Sequence, residues 1–394
     1  MSDNYLCPNC TKNNTSIFYS IDNVPVHSVV LLHSRKAALE YPTGDIALGY
    51  CKHCSFISNV LYDESAQDYS QDYESTQHYS PTFTEFAKAL AQDLVDRHDL
   101  REKTILEIGC GQGEFLTLLC ELGNNRGIGF DPAYNADLQI ESSSIEIEFI
   151  KDYYSEKYAQ TSADFIVCKM TMEHIPDPAR FISMIRASID AQSNPTLFFQ
   201  VPDVRRILKE GAFWDIYYEH CSYFNPVSLH YLFADNGFKI LNQWQGYDDQ
   251  YLFIEVSPSA DPNRTPVAGN SNLESVSSQV DIFSQNVPFR INSWKQFVHA
   301  RSQKERRLII WGAGSKGVAF FTTLGIREEI KYAVDINPNK AGTHMPGSGH
   351  QVVDPEFLVE YPPQEIIVMN AIYVEEIERD LRKLGISAKI TPIA

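Results

Sequence analysis

One motif constrains the fold of this chain more than any other: a short apolar run that leads directly into closely spaced glycines. Residues 105–108 (ILEI) predict a buried parallel strand. The glycines that follow lack Cβ atoms, so the backbone can turn sharply there and approach a ligand closely. They are Gly109, Gly111 and Gly113. A second predicted strand, residues 127–130, delivers Asp131 about 20 residues later, where a carboxylate can accept hydrogen bonds from ribose hydroxyls.

The same geometry serves NAD and S-adenosylmethionine (SAM), and the details of the motif favour SAM. The acidic Glu107 inside the strand and the ExGCGxG spacing resemble motif I of the class I SAM-dependent methyltransferases. A dinucleotide site leaves its helix N-terminus free to bind a pyrophosphate, a group that SAM lacks. We therefore expect Glu107, the three glycines and Asp131 to bind SAM, with a purely structural glycine-rich turn as the alternative.

Composition restricts the class of protein and of ligand. At 394 residues the chain exceeds the size at which one hydrophobic core keeps growing, so we expect two or three domains. A formal net charge of −18 argues against a nucleic-acid partner, because phosphate binding needs clustered lysines and arginines. The sequence has no apolar run of about 18 residues and no signal-peptide pattern, so we expect no membrane span and a cytoplasmic protein.

Four of the eight cysteines form two CxxC pairs. Each CxxC turn directs two sulfurs at one tetrahedral ion, so the paired turns predict a zinc site. The alternatives are a redox pair and a disulfide framework, but redox motifs rarely occur twice at matched spacing. Four thiolates leave no open position for a substrate water, which makes the predicted role structural. The predicted ligands are Cys7, Cys10, Cys51 and Cys54.

Apolar patterning divides the chain into four parts. They are an N-terminal zinc-binding module (residues 1–75), a central domain (76–262), a linker and helix (263–300) and a C-terminal domain (301–394). Within the linker region, residues 261–278 are rich in Pro, Asn and Ser, and residues 279–301 predict a helix.

The central domain alternates strands and helices, which predicts an α/β fold with a doubly wound parallel sheet. The predicted strands are residues 105–108, 127–130, 164–168 and 196–200. The predicted helices are residues 82–100, 114–122 and 178–191.

The C-terminal domain begins with a second nucleotide-type turn. Residues 306–320 (RRLIIWGAGSKGVAF) predict a strand, a GxGxxG turn and a helix, and Asp335 follows about 20 residues later. The glycines of this turn are Gly312, Gly314 and Gly317. Taken alone, the motif supports NAD binding, so the chain carries two turns that can each hold a ligand.

Two further segments combine residue types that are used in catalysis. Residues 172–177 (MEHIPD) follow a predicted strand, so His174 should point toward a ligand at the carboxyl edge of the sheet. Residues 215–224 (DIYYEHCSYF) follow another strand and bring Tyr, Glu and His side chains together. Core aromatic packing and a solvated turn are the structural alternatives. Asp152 lies where class I methyltransferases often place an acid beside the adenine amino group, with a helix N-cap as the alternative.

Together these features resemble one family, the nucleotide-sugar C-methyltransferases of deoxysugar biosynthesis, which methylate C-3 of a 4-keto-6-deoxyhexose. The resemblance rests on the paired CxxC turns, the YES segment at residues 73–75, the YxEHxSYF segment at residues 217–224 and the closing GAGSKG domain. It covers essentially the whole chain in the same order. It implies a Rossmann-like C-terminal domain that holds no NAD and helps to house the nucleotide sugar. The second glycine turn would then be substrate-side or purely structural.

The resemblance also implies roles for individual residues. His220 would be the base that removes the C-3 proton, and Glu219 would orient it or hold the sugar. The ketone or its neighbouring hydroxyls would be contacted by Tyr217, Tyr73 and His174. Family members often carry His-Glu-His where this chain has Tyr218-Glu219-His220, a departure that leaves the base in place. The chemistry agrees, because a carbon beside a ketone becomes nucleophilic when a base removes its proton and donors stabilise the enolate oxygen.

Rival functions and several properties stay open at this point. An O- or N-methyltransferase of another small metabolite fits the same scaffold, and an NAD-dependent oxidoreductase would use the second glycine turn. A non-enzymatic zinc-binding module has little use for a complete SAM motif. The nucleotide base could be thymine, guanine, cytosine or uracil, and local donors such as Lys316 and Lys340 would have to hold the diphosphate. The sequence leaves the oligomeric state undetermined and is compatible with a monomer.

Overall fold

The computed structural model describes residues 5–67, 73–136, 145–190, 193–259, 270–303 and 307–393. The described strands form sheets of four, seven and five strands. The N-terminal elements are β1 (Thr15–Pro25), α1 (Arg35–Leu39), β2 (Thr43–Cys51), β3 (Ile57–Asn59) and α2 (Pro81–His98).

The central region contributes twelve elements in the described residues. They are β4 (Thr104–Ile108), α3 (Glu114–Gly123), β5 (Arg126–Phe130), β6 (Ile147–Ile150), β7 (Phe165–Lys169), α4 (Pro178–Ser188), β8 (Thr196–Pro202), α5 (Val204–Glu210), β9 (Ser222–Tyr223), α6 (Pro226–Asp235), β10 (Phe238–Gly246) and β11 (Tyr251–Pro258). The C-terminal elements are α7 (Asn270–Ser302), β12 (Leu308–Trp311), α8 (Ser315–Leu324), β13 (Tyr332–Val334), β14 (Gln351–Val353), β15 (Glu365–Val368), α9 (Val374–Lys383) and β16 (Lys389–Pro392).

The seven-stranded sheet has the order β10-β11-β8-β7-β4-β5-β6. Its strands from β8 to β6 run parallel, and β11 pairs antiparallel with both of its neighbours. The chain winds outward from β4 in both directions, so the topological switch point lies between β4 and β7. Ligands of such sheets bind outside the carboxyl ends of the strands at this point. The predicted doubly wound sheet is confirmed, and each predicted central strand lies within two residues of an observed one.

The five-stranded sheet is parallel throughout, in the order β14-β13-β12-β15-β16. The strand β12, the second glycine turn and α8 follow one another as the GxGxxG pattern predicts. The third glycine of this turn is required by packing, because a Cβ on Gly317 would lie 2.4 Å from the carbonyl oxygen of Gly312. This close approach lets α8 pack tightly against β12.

The four-stranded sheet joins distant parts of the chain, in the order β1-β2-β3-β9. The strand β9 comes from the segment after β8, and it pairs with β3 through Ile57 opposite Tyr223 and Ser58 opposite Ser222. The predicted N-terminal module therefore shares its sheet with the central part of the chain. This pairing brings the YxEHxSYF segment against the N-terminal sheet.

The helix α7 begins earlier than the sequence predicts. It starts at Asn270 instead of residue 279, so residues 270–278 of the predicted linker are helical, whereas residues 260–269 lie outside the described part. Apolar residues at helical spacing explain the difference: Val276, Val280 and Phe283 are all buried. None of the described helices, α7 included, combines the length and the apolarity that crossing a bilayer requires.

A shared core connects the N-terminal and C-terminal sheets. Phe283 of α7 packs edge-on against Tyr19 of β1, with ring centroids 5.6 Å apart. Phe213, which precedes the YxEHxSYF segment, stacks against Phe320 of α8 at 6.1 Å. The chain just before the segment that carries the candidate base is therefore anchored to α8 by a buried aromatic contact.

Asn225, directly after the YxEHxSYF segment, caps α6 and holds the N-terminal part in place. Its side chain accepts from the backbone N–H groups of Val227 and Ser228, both at 3.0 Å, and donates to the carbonyl of Ser55 at 2.6 Å. We expect Asn225→Ala to destabilise the protein by about 2–4 kcal/mol, because it removes a helix cap and strands a buried carbonyl. The thermal unfolding midpoint measures this. The exposed Asn242→Ala is the control and should change stability by less than about 0.5 kcal/mol.

Candidate active site

A cavity of about 920 Å³ is lined by both glycine-rich turns. Gly109 and Asp131 reach it from the carboxyl ends of β4 and β5, and Gly312 and Asp335 reach it from those of β12 and β13. Its volume lies in the range of about 300–1,000 Å³ that is typical of small-molecule sites. The central and C-terminal sheets therefore share one ligand space.

The first glycine turn has the backbone shape that the motif predicts. Gly109 and Gly113 have φ angles of 71° and 89°, in the left-handed region that favours glycine. A Cβ on Gly109 would lie 2.0 Å from Oγ1 of Thr171, and one on Gly113 would lie 2.3 Å from the ring of Phe149. Both positions must therefore be glycine for the turn to close.

Asp131 supports the first glycine turn from the end of β5. Its carboxylate accepts from the backbone N–H groups of Gly111 at 2.9 Å and Ala133 at 2.8 Å. Burial raises the pKa of Asp131, and the hydrogen bond from Gly111 opposes that rise. Each carboxylate oxygen can accept more than one hydrogen bond, so acceptor capacity is left for the two hydroxyls of a ribose.

Glu107 lies at the inner end of the cavity on β4. Burial raises its pKa to about 8, and the nearby ammonium of Lys169 opposes the rise. Its Oε2 accepts no hydrogen bond from the described residues. A buried carboxyl group with a free acceptor suits a ligand that brings its own donors, such as an amine.

Asp152 lines the outer part of the cavity near Asp131. Its carboxylate accepts from the Tyr158 hydroxyl at 2.6 Å and from Nζ of Lys157 at 3.0 Å. The hydrogen bond from Tyr158, followed by the one from Lys157, lowers the pKa of Asp152. The N-cap alternative is not observed, because the short helical turn that follows begins after Ser155.

The candidate catalytic residues converge on one wall of the cavity. The rings of Tyr217 and His220 lie 4.2 Å apart between centroids, and those of His174 and His220 lie 4.9 Å apart at 90°. Tyr73 also lines the cavity, from a bridge with Val30. The β9 pairing helps to position Tyr217 and His220, because it fixes the chain from Ser222 onward.

The side chain of Glu219 is directed toward the N-terminal segment. Its Oε2 accepts from the backbone N–H of Ser28 at 2.9 Å, and a hydrogen bond with Tyr73 is also made. Burial raises the pKa of Glu219 to about 7, and the contacts with Ser28 and Tyr73 oppose the rise. Glu219 therefore links the cavity wall to the N-terminal part of the chain.

Burial sets the charge of the two histidines. It lowers the pKa of His220 well below the usual value, and the neighbouring His174 lowers it further. It also lowers the pKa of His174 to about 4, against a hydrogen bond with the backbone of Glu219. Both imidazoles are therefore neutral near pH 7. The pKa of His220 is therefore below that of an ordinary imidazole, because the ring is buried beside a second histidine.

Tyr218, the residue that departs from the family pattern, is not among the described residues that line the cavity. Its ring packs against Gly44 of β2, and its hydroxyl accepts from the backbone N–H of Asp63 at 2.8 Å. The departure therefore affects packing against the N-terminal sheet and leaves the residues around His220 unchanged.

The second glycine turn repeats the hydrogen bonds of the first. Asp335 accepts from the backbone N–H groups of Ala313 and Asn337, both at 3.0 Å, and pairs with Lys340 at 3.3 Å. Lys316, one residue after Ser315, lies 3.1 Å from the carboxylate of Asp215. The sequence suggests both lysines as phosphate donors. Lys340 pairs with Asp335 in the C-terminal part of the chain, whereas Lys316 pairs with Asp215 in the central part.

Sequence reasoning missed two residues that line the cavity, Glu173 and Arg206. Glu173 is buried inside the MEHIPD segment, in which the sequence analysis assigned a role only to His174. Arg206, on α5, pairs with Asp215 opposite Lys316. Glu173 follows the carboxyl end of β7, and Arg206 follows that of β8. Because ligands of doubly wound sheets bind outside these strand ends, the sequence positions of both residues could have indicated that they border the site.

The four predicted zinc ligands lie together and are buried. The Sγ atoms of Cys7 and Cys54 are 3.7 Å apart, and those of Cys10 and Cys51 are 3.6 Å apart. All four sulfurs lie within 4.8 Å of one another. A tetrahedral ion with Zn–S bonds of about 2.3 Å places its sulfurs about 3.8 Å apart. The cluster therefore has the dimensions that a zinc ion requires.

Two regions of the chain match models of known protein families. Residues 79–243 match the model of a methyltransferase domain, and residues 273–388 match that of a C-methyltransferase C-terminal domain. The C-methyltransferase NovU of Streptomyces niveus is 24% identical over 288 residues, which cover 69% of this chain and 67% of NovU. A ubiquinone biosynthesis O-methyltransferase of Saccharophagus degradans is 33% identical over 98 residues, or 22% of this chain and 39% of that protein.

Comparison with solved structures gives partial matches at low sequence identity and low TM-score. Magnesium protoporphyrin IX methyltransferase from Synechocystis, with bound SAH, is 16% identical and has a TM-score of 0.35 over 45% of this chain and 84% of its own. The PH0226 protein from Pyrococcus horikoshii is 13% identical and has a TM-score of 0.37 over 47% of this chain and 96% of its own.

The two matching aspartates provide a test of the cofactor end of the cavity. We expect Asp131→Asn to weaken SAM binding by about 1–3 kcal/mol, because hydrogen bonds from ribose to a charged carboxylate are lost. Isothermal titration with SAM measures this. Asp335→Asn is the matched control, since Asp335 makes the same backbone contacts in the second turn. Equal losses in the two variants would contradict the assignment of SAM to the first turn.

Proposed function

Because this chain is a SAM-dependent methyltransferase with a C-methyltransferase relative, we propose that it methylates C-3 of a 4-keto-6-deoxy nucleotide sugar. One observation carries the proposal. Buried His220 and half-buried Tyr217 and His174 form a cluster in the same cavity as the first glycine turn. This arrangement supports a base in the same ligand space as a methyl donor, as carbon methylation beside a ketone requires.

In this proposal His220 is the base that forms the enolate. Its neutral imidazole accepts the C-3 proton, and the electron pair of the C–H bond passes into the enolate. Burial keeps the pKa of Tyr217 well above the usual value, so its hydroxyl stays protonated and can donate to the developing oxyanion. SAM, when bound, would supply an electrophilic methyl group, which is attached to its sulfonium sulfur. Tyr73, His174 and Glu219 line the same wall and would position the sugar.

Two cationic side chains in the cavity lining support an anionic substrate. Lys316 and Arg206 both face Asp215 there, which places two cationic side chains around one carboxylate. They are candidates for binding a diphosphate, because charge-assisted hydrogen bonds to phosphate are strong. Since Lys316 comes from the C-terminal sheet and Arg206 from α5, a diphosphate bound between them would contact both domains.

Exchange of the substrate C-3 hydrogen with solvent tests this function. The protein is incubated in D2O with SAM and with the dTDP, GDP, CDP and UDP forms of a 4-keto-6-deoxyhexose, and deuterium and methyl incorporation are followed by mass spectrometry and NMR. An O- or N-methyltransferase would methylate without labelling C-3. A wild-type protein that binds SAM and leaves the C-3 hydrogen of all four substrates unexchanged would contradict the proposal.

The base assignment makes a prediction for one substitution. We expect His220→Asn to lower turnover by about 10²–10⁴-fold, the usual contribution of a positioned base, while SAM binding is retained. Steady-state kinetics and SAM titration measure the two effects. His299→Asn, on the exposed side of α7, is the matched control and should keep full turnover. Wild-type turnover in His220→Asn would rule out His220 as the base.

We also propose that Cys7, Cys10, Cys51 and Cys54 hold a structural zinc ion. Their sulfur spacing and burial support it, and none of the four is in a disulfide. Asn9 of the first CxxC turn donates to Sγ of Cys54 at 3.5 Å and to the carbonyl of Ser228 at 3.1 Å. The cluster would thereby hold the N-terminal part against α6.

Loss of one ligand tests the zinc site. We expect Cys7→Ser to lower the zinc content below one equivalent and to reduce the thermal midpoint, because metal binding at such sites contributes directly to folding. Atomic emission and thermal unfolding measure these properties. Cys120→Ser is an equally buried control outside the cluster, and it should keep the zinc content. A purified wild-type protein with no zinc and full stability would contradict the proposal.

A further inference from the structure

Glu173 is a buried carboxyl group to which the proposed mechanism assigns no role. It is 1% exposed, in the short helical turn Met172–His174 that follows β7, and it borders the cavity. Neither carboxylate oxygen has a hydrogen-bond partner within the described part of the chain. A buried, unsatisfied carboxyl group is costly, so its presence beside a cavity points to a functional use.

Two titratable neighbours of Glu173 in the cavity wall are the histidines His174 and His220. Acceptor atoms of Glu173, His174 and His220 all lie within 4.8 Å of one another. Glu219, although adjacent to His220 in sequence, is not a member of this group, because its carboxylate faces Ser28. Glu173 is therefore a carboxyl group that lies within 4.8 Å of both imidazoles.

A base in this position needs a nearby anion once it has taken a proton. Proton removal from C-3 creates an imidazolium in a buried site beside a second histidine. An unpaired buried charge is strongly unfavourable, and an adjacent carboxylate compensates for it. His174 cannot provide this compensation, because its ring is neutral and hydrogen-bonded to the backbone of Glu219.

We propose that Glu173 is a positioning residue that acts through His220, by receiving the proton that His220 removes from C-3. This inference rests on the proposed function. The C–H bond breaks, its electron pair stays with the enolate, and an N–H bond forms on the imidazole. The imidazolium then passes the proton to the Glu173 carboxylate, which leaves a neutral imidazole and a neutral carboxylic acid. A side-chain rotation or one bridging water spans the remaining separation.

The surroundings of Glu173 favour its neutral form at the end of this step. The titratable groups around it are Cys168 and Lys169 at the end of β7, His174 next to it, Tyr217, His220 and Cys221 of the YxEHxSYF segment, and Tyr251 at the start of β11. Burial raises the pKa of Glu173 to about 8, and the Lys169 ammonium opposes the rise. Below this pH the carboxyl group already holds a proton and cannot accept another.

The test measures the proton step alone. Exchange of the C-3 hydrogen of dTDP-4-keto-6-deoxyglucose, or of whichever nucleotide form the wild type labels, is followed in D2O from pH 6 to 9.5. SAH is present because it carries no sulfonium charge and cannot methylate. We expect the wild-type exchange rate to rise with pH and to level off above about 8, where the Glu173 carboxylate is ionised.

Three variants give distinct expected results. Glu173→Gln should lower the exchange rate about 100-fold at pH 8.5 and remove the rise near pH 8, with SAH binding unchanged. Glu219→Gln should keep the rise near pH 8, whatever its effect on the plateau. Glu173→Asp should restore a rise with pH, because it returns an ionisable carboxyl group. A purely structural role of Glu173 would change stability and leave the pH dependence in place.

The outcomes separate this inference from the proposed function. If the wild type exchanges no C-3 hydrogen, the proposed function fails. If the wild type exchanges and Glu173→Gln shows the same rate and pH profile, only the role of Glu173 is overturned. Glu173, His174 and His220 could instead bind a metal ion, and metal analysis tests this alternative. If the wild type contains a second metal equivalent that Glu173→Gln lacks, Glu173 is a metal ligand and the proposal is overturned.

Discussion

The pairing of β9 with β3 is the contact on which the candidate active site depends. It consists of two residue pairs, yet it fixes the chain directly after His220 against the N-terminal sheet. Asn225 then reinforces it by capping α6 and donating to Ser55. The candidate base His220 and its neighbours Tyr217 and Glu219 are therefore positioned against the N-terminal part of the chain, although the sheet that carries the first glycine turn is central. A four-cysteine cluster that keeps the N-terminal part folded would in this way support a site to which it contributes no reacting group.

Burial, more than charge pairing, determines the protonation states in this wall. His174 and His220 are neutral near pH 7, whereas Glu107 and Glu173 hold protons up to a pH of about 8. Burial disfavours the charged form of each group, and for the two carboxyl groups it outweighs the opposing charge of Lys169. The neutral imidazoles suit a reaction that moves one proton, and ionisation of Glu173 above a pH of about 8 would leave its carboxylate able to accept that proton. The neutral carboxyl groups also limit electrostatic repulsion toward an anionic substrate near pH 7 in a chain whose formal net charge is −18.

The sequence predicted the parts of the structure that depend on local patterns. The central strands, the helices between them and both glycine turns follow from apolar spacing and from glycine chemistry, and they are found within a few residues of their expected places. The start of α7 was wrong because Asn and Ser are frequent in linkers, and only the burial of Val276 and Val280 shows that the helix extends. The β9 pairing joins residues that are far apart in sequence, so no local pattern could indicate it. For the same reason the direction of the Glu219 side chain and the proximity of Glu173 to His220 were not predictable from adjacency in the sequence.

The two glycine turns show how one motif can serve two different uses within one cavity. Asp131 and Asp335 each accept two backbone N–H groups from their own turn, so both aspartates first stabilise a loop. What differs is the surroundings. Asp335 is paired with Lys340, which consumes acceptor capacity that a ribose would need, whereas Asp131 has no lysine or arginine partner among the described residues. At the first turn Glu107 also offers a buried free acceptor. The same backbone geometry is thus left open for a cofactor at the first turn and is closed by a salt bridge at the second, where Lys316 extends toward the central domain instead.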